Sequence, residues 1–205
     1  MKTIFASLLF LIGCLPVATF SQSPVAGKGD FHIDLDAGKF YGDESRSMIE
    51  IYYSVRTSML AHTEQGGAYT GGASIRLQVW KDSSMLSTKT ISVPFSFTDT
   101  AKLASGQMLV GIEQIALVPG EYRLRVRGWD QLDSTRIDTF TMPLHVASFA
   151  GDKEMFSDIE LASSVAQSSD TTSIFYKNTL AVVPNASMLY GPGLPFVYYY
   201  YEVYN

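Results

Sequence analysis

Pro119-Gly120-Glu121-Tyr122-Arg123-Leu124-Arg125-Val126-Arg127-Gly128-Trp129-Asp130 is the stretch on which the reading of the fold turns. Pro119-Gly120 is a turn pair. Beyond it Tyr122, Leu124 and Val126 alternate with Arg123, Arg125 and Arg127, the period of two that marks a strand with one buried face. Asp130-Gln131-Leu132-Asp133-Ser134 forms a second turn cluster. The segment from Thr135 to Val146, rich in β-branched and aromatic residues, predicts a returning strand. The whole predicts a long antiparallel hairpin with its arginines on a solvated face.

Working outward, the same alternation recurs upstream. Phe31, Ile33 and Leu35 alternate with His32, Asp34 and Asp36, and Ala37 to Ser47 reads as a polar loop. Met48 to Val55 predicts a second strand with Ile49, Ile51, Tyr53 and Val55 on one face. The glycine-rich run Gly66 to Gly72 gives way to a third strand with Ile75, Leu77 and Val79 inward. Lys81-Asp82-Ser83-Ser84 is a turn, and Ile91, Val93, Phe95 and Phe97 carry the pattern on, with Pro94 pointing to an edge strand or bulge. Thr98 to Gly106 is a polar connection. Met108 to Leu117 fits a strand or an amphipathic helix. Roughly seven strands at spacings of about 8–12 residues predict an all-β chain. Its first domain, residues 28–148, is expected to be an immunoglobulin-like antiparallel β-sandwich without the Cys…Trp…Cys signature.

A boundary is expected near Ser148 to Lys153. Past it lie Phe156 to Ala162, a serine-rich loop from Ser163 to Ser173, and apolar segments at Leu180–Val183 and Phe196–Val203. Residues 154–205 read as an incomplete second β domain that stops at Asn205, because about fifty residues with two or three strands rarely close a core. That leaves the Val197 to Tyr204 strand as an exposed aromatic edge.

Apolar residues make up 46% and charged residues 17% of the 205, enough for a sizeable core. A net charge of −5 with no compensating basic patch speaks against nucleic acid as a partner. At the N-terminus, Lys2, the apolar run Ile4 to Ile12 and the small residues Thr19 and Ser21 have the form of a signal peptide, residues 1–21. Leu11-Ile12-Gly13-Cys14 also fits a lipobox that would anchor the chain to a membrane through a lipid on Cys14. Cys14 is the single cysteine, so no internal disulfide forms. Export without disulfides points to a bacterial envelope.

The order of several segments resembles the front part of bacterial GWxTD domain-containing proteins. The segments are Ile49-Glu50-Ile51-Tyr52-Tyr53-Ser54-Val55, Pro119-Gly120-Glu121-Tyr122-Arg123-Leu124, Ser157-Asp158-Ile159-Glu160-Leu161-Ala162 and Val183-Pro184-Asn185. Tyr200-Tyr201-Glu202-Val203-Tyr204-Asn205 completes the series. The resemblance implies exported bacterial β domains in a shortened member. The naming Gly-Trp-x-Thr-Asp motif is absent, Gly128-Trp129-Asp130-Gln131-Leu132 being a superficial echo.

No catalytic, cofactor-binding or metal-ligating constellation emerges. His32, His62 and His145 lie too far apart in sequence to suggest a zinc site. Asp34 and Asp36 share one strand face, where a calcium ion is a lesser reading than plain solvation. Ser74 in Gly72-Ala73-Ser74 lacks the second glycine of a nucleophile elbow. The glycine pairs 66–67 and 71–72 lack the Lys-Ser/Thr of a phosphate loop and read as flexible loop or bulge. Asn185-Ala186-Ser187 matches a glycosylation sequon that carries little meaning in a bacterial protein. Trp80 and Trp129 take the outward register near turns, where they cover a sheet or stack on a ligand. The expected role is therefore non-enzymatic: an exported bacterial envelope protein with a structural or protein-interaction function. The alternative is a carbohydrate-binding or adhesive module using Trp80, Trp129 and Tyr198 to Tyr201.

Overall fold

A computed structural model of the chain describes residues 29–99, 101–102, 106–149 and 154–204. The expected signal segment with Cys14, the lead to residue 28, residues 150–153 of the expected boundary, and Asn205 lie outside these. The chain is all-β, built from antiparallel sheets stacked as a sandwich.

The hairpin is at its centre. β7 (Gly120–Asp130) and β8 (Ile137–Val146) pair in unbroken register from Gly120↔Val146 to Trp129↔Ile137. Tyr122, Leu124 and Val126 are buried and the three arginines exposed, as the alternation requires. Tyr122 donates its hydroxyl proton to the Val118 carbonyl at 2.8 Å, a corner tie familiar from β-sandwiches. β7 also pairs with β4 (Ala68–Lys81), which carries β3 (His62–Gln65) and β5 (Ser84–Phe97) as further neighbours. Among the described residues β5 pairs with β4 alone, so Pro94 sits on an edge strand, where a missing N–H is tolerated. β4 starts seven residues earlier than its alternation suggested. Gly66 and Gly67, both at positive φ, are the two-residue turn joining it to β3, a tight hairpin and not a flexible loop. Gly71 and Gly72 lie within β4.

β1 (Asp34–Tyr41), β2 (Ser47–Arg56) and β6 (Met108–Leu117) make a second sheet in the order β1-β2-β6. The segment 37–41, read as loop, is strand because β2 pairs with it through to Tyr41↔Ser47. Ile49, Ile51, Tyr53 and Val55 of β2 meet Ile75, Leu77, Leu124 and Val126 in the larger core. Each fully buried side chain of this size stabilises the fold by about 1.5–3 kcal/mol.

The other face of β2 is covered as well. β10 (Glu160–Gln167), β11 (Tyr176–Lys177), β12 (Leu180–Pro184) and β13 (Tyr198–Tyr200) form a sheet ordered β11-β12-β10-β13. β9 (Met155–Phe156) pairs with β14 (Val203–Tyr204) beside it. Phe40, Tyr52 and Ile112 from the β1-β2-β6 sheet share a core with Ala162, Val182, Ala186 and Tyr200. The molecule thus has three layers, with β2 in the middle one and buried on both sides. Residues 163–167, expected to be serine-rich loop, are strand with a bulge between Ala162 and Ser164, since the ladder to β12 satisfies their backbone. The long aromatic strand expected at 197–204 is instead two short strands, β13 and β14.

Candidate functional site

Two surfaces and one buried cluster carry the unusual chemistry. The buried cluster lies between β2 and the C-terminal sheet. Lys177, at the end of β11, directs its Nζ at the carboxylates of Glu50 on β2 and Glu160 on β10. All three side chains are more than nine-tenths buried. The rings of Phe40, Tyr200 and Tyr52 surround the ammonium, with centroids 4.5, 5.2 and 5.4 Å away. Glu50 is also held by the Tyr52 hydroxyl at 2.8 Å and by the Gln114 amide at 2.9 Å. Glu160 Oε1 has no hydrogen-bond partner. Burial pushes the Glu160 carboxyl up to about 7, against the pull of Lys177 and with the help of nearby Glu50.

The first surface is the outer face of the sheet built on β4 and β7. Arg125 lies 4.6 Å from the Trp80 ring centroid, and Arg76 lies 5.5 Å from that of Trp129. Guanidinium groups thus stand over both indoles, which are half-buried. The echo motif Gly128-Trp129-Asp130-Gln131 resolves into four structural duties. Gly128 makes room for Ile33, and Trp129 lies under Arg76. Asp130, fully buried, accepts hydrogen bonds from the backbone N–H of Ala61 at 2.6 Å and of Leu132 at 2.9 Å. Gln131 donates to Ala73 O, Ser74 Oγ and Ser92 Oγ, tying the β7–β8 turn to β4 and β5.

The second surface is the outer face of β13 and β14. Tyr199 and Tyr201 are stacked at 6.3 Å with an interplanar angle of 17°, and Phe156 lies 6.3 Å from Tyr201. Leu161 is paired with Tyr199, and Val203 with Phe156. Tyr199 and Phe156 are each 60% exposed. Among the described residues β13 has β10 on one side and no strand on the other. Tyr200, of opposite parity, points inward to the Lys177 cluster. The Trp–Arg face and the tyrosine face therefore lie on opposite outer layers, so Trp80 and Trp129 do not join Tyr198 to Tyr201 in one platform.

The remaining residues singled out by sequence stand apart. Asp34 accepts a hydrogen bond from Ser54 at 3.1 Å, and Asp36 bonds the Ala37 N–H. His32 faces Asp34 at 3.7 Å, His145 contacts Glu121, and His62 meets the Tyr69 ring edge. Among the described residues no three His, Cys, Asp or Glu side chains gather as metal ligands. Ser74 Oγ accepts a hydrogen bond from the Gln131 amide at 3.2 Å. Asn185 is buried, its amide donating to Leu189 O and accepting from Ser187. An open groove of about 420 Å³ runs beside it between β2, β6 and residues 184–194. No described helix is long and apolar enough to cross a membrane. The chain matches no family model, no curated protein and no solved structure.

Sequence reasoning missed the Lys177 cluster. Its members are 127 and 17 residues apart, and each alone resembles a solvated charge.

Proposed function

We propose that this chain is an exported bacterial envelope protein with a structural or protein-interaction role, turning over no external substrate. It engages its partner through the tyrosine face of β13 and β14. The observation that carries the reading is the coincidence of exposed Phe156, Tyr199 and Tyr201 with β13, an edge strand whose outer side is unpaired among the described residues. An unpaired edge offers backbone donors and acceptors to an added strand, and flanking apolar side chains supply the area that holds it. The occupant that fits is an extended polypeptide segment laid antiparallel or parallel to β13. The signal-like residues 1–21 and the resemblance to GWxTD domain-containing proteins support the envelope as its place.

The test is site-specific photocrosslinking in the bacterium, with the crosslinker at Tyr199 or, as a control, at Arg125. One defined protein adduct at position 199, absent at 125 and absent when Tyr201→Lys is added, supports the reading. No adduct, or a hydrolase or transferase activity lost with one substitution in the purified chain, overturns it.

The parallel Tyr199 and Tyr201 rings favour one second reading, a sugar-stacking surface. Glycan-array binding lost in Tyr199→Ala and retained in Trp129→Ala distinguishes it from protein docking.

A further inference from the structure

We propose that Lys177 and Glu160 become joined by an intramolecular amide, with Glu50 as the proton-transfer group. The inference does not depend on the proposed function and rests on the cluster between β2 and the C-terminal sheet. Three observations point to it. The amine touches both carboxyl groups in a site lined by Phe40, Tyr52 and Tyr200, which exclude water. One ammonium with two carboxylates would leave a net buried negative charge, so one carboxyl takes a proton. The two carboxyls differ in the number of donors they meet. Glu50 accepts from Tyr52, Gln114 and Lys177, a set of donors that suits an ionised group. Glu160 accepts from Lys177 as well and has the Tyr52 hydroxyl near it, but its Oε1 has no hydrogen-bond partner, and burial raises its pKa against the pull of those two neighbours. Glu160 is therefore the neutral acid, and its carbonyl carbon is the electrophile.

The step balances without any co-reactant. A proton passes from the Lys177 ammonium to the Glu50 carboxylate. The freed lone pair on Nζ attacks Cδ of the protonated Glu160, giving a tetrahedral centre. The Nζ–Cδ bond is kept, the bond from Cδ to one oxygen breaks, and that oxygen leaves as water carrying the second nitrogen proton, relayed by Glu50. An amide, a protonated Glu50 and one water remain, and the cluster is neutral before and after. Fixing amine and acid in contact replaces a bimolecular encounter with an intramolecular one, which lowers the entropic part of the barrier. The water-excluding rings then protect the product from hydrolysis. The bond would span β11 to β10 across β12, in a chain whose single cysteine allows no internal disulfide.

Intact-mass spectrometry of the purified, denatured chain tests the proposal, followed by proteolysis and tandem mass spectrometry. The expected wild type is lighter than its sequence by one water, with the Lys177 peptide resistant to trypsin at that lysine and linked to the Glu160 peptide. Lys177→Met, and a Glu50→Gln variant that keeps its β circular dichroism, are expected at full mass. A wild type at full mass overturns the proposal, and that measurement needs no variant to fold. A linkage mapped to Glu50, or a fully linked Glu50→Gln, overturns the assignment of roles.

Discussion

Ile33 occupies the space that a side chain on residue 128 would need: a Cβ built on Gly128 falls 1.9 Å from Ile33 Cδ1. Ile33 precedes β1 and is held there by its backbone N–H, which donates to Asp138 on β8 at 3.0 Å. The N-terminal strand is thereby locked over the central hairpin at Gly128, where no side chain stands in its way. Gly128→Ala is expected to destabilise the fold by about 1–3 kcal/mol or more through overpacking. A paired Ile33→Ala should recover part of that loss if the clash is its cause, as urea titration of the two single variants and the double would show.

Asp130 gives a second expectation. Replacing it with Ala leaves the buried Ala61 N–H without its acceptor and frees the amide of Leu132 in the more exposed turn. Each buried donor so orphaned costs about 1–3 kcal/mol. The urea midpoint should fall with an unchanged slope, and an unshifted midpoint would contradict the tie between the β7–β8 turn and residue 61.

Acid stability follows from three turn carboxylates. Hydrogen bonds from the Arg46 side chain hold Asp43 well below its ordinary range, and those from Thr135 and Thr172 lower Asp133 and Asp170. Groups depressed in the folded state contribute stability above their unfolded pKa of about 3.9 and lose it as pH falls below that. Stability should therefore decline on acidification through about pH 4. In the triple Asp→Asn variant the decline should be shallower, as read from urea unfolding at a series of pH values.

The Trp–Arg face can be read optically. Arg125 covers Trp80 at 4.6 Å, and removing it bares a half-buried indole. Arg125→Ala should shift tryptophan emission to the red and cost about 0.5–1 kcal/mol. An unchanged spectrum would mean that the guanidinium does not shield the ring.

The hairpin and the strands of the larger core were legible because one face of each is wet, and alternating burial writes itself into the residue pattern. β6, where helix and strand both fitted, is strand because β2 needs a partner over its full length. The C-terminal half was harder to read. Glu50, Tyr52 and Ser54 look like the solvated side of β2, and nothing local shows that another sheet covers them. Ser163 to Gln167 has the composition of a loop, and only the distant β12 makes it a strand. Lys177 follows the same logic: its partners are supplied by the topology, and no spacing in the sequence announces them.

β2 also imposes an order of events on synthesis. Its isoleucine face finds its partners once residue 146 has been made, but its other face waits for Lys177, 127 residues after Glu50. A nascent chain carrying a bare apolar stripe for that interval would invite aggregation. With Glu50, Tyr52 and Ser54 there, the waiting surface stays hydrated until the last sheet arrives. Replacing the trio with apolar residues of similar size would take from buried Lys177 one of its two carboxylate partners and so cost stability. It would also leave the half-made chain with a sticky face, so expression yield and final stability should both fall at these positions.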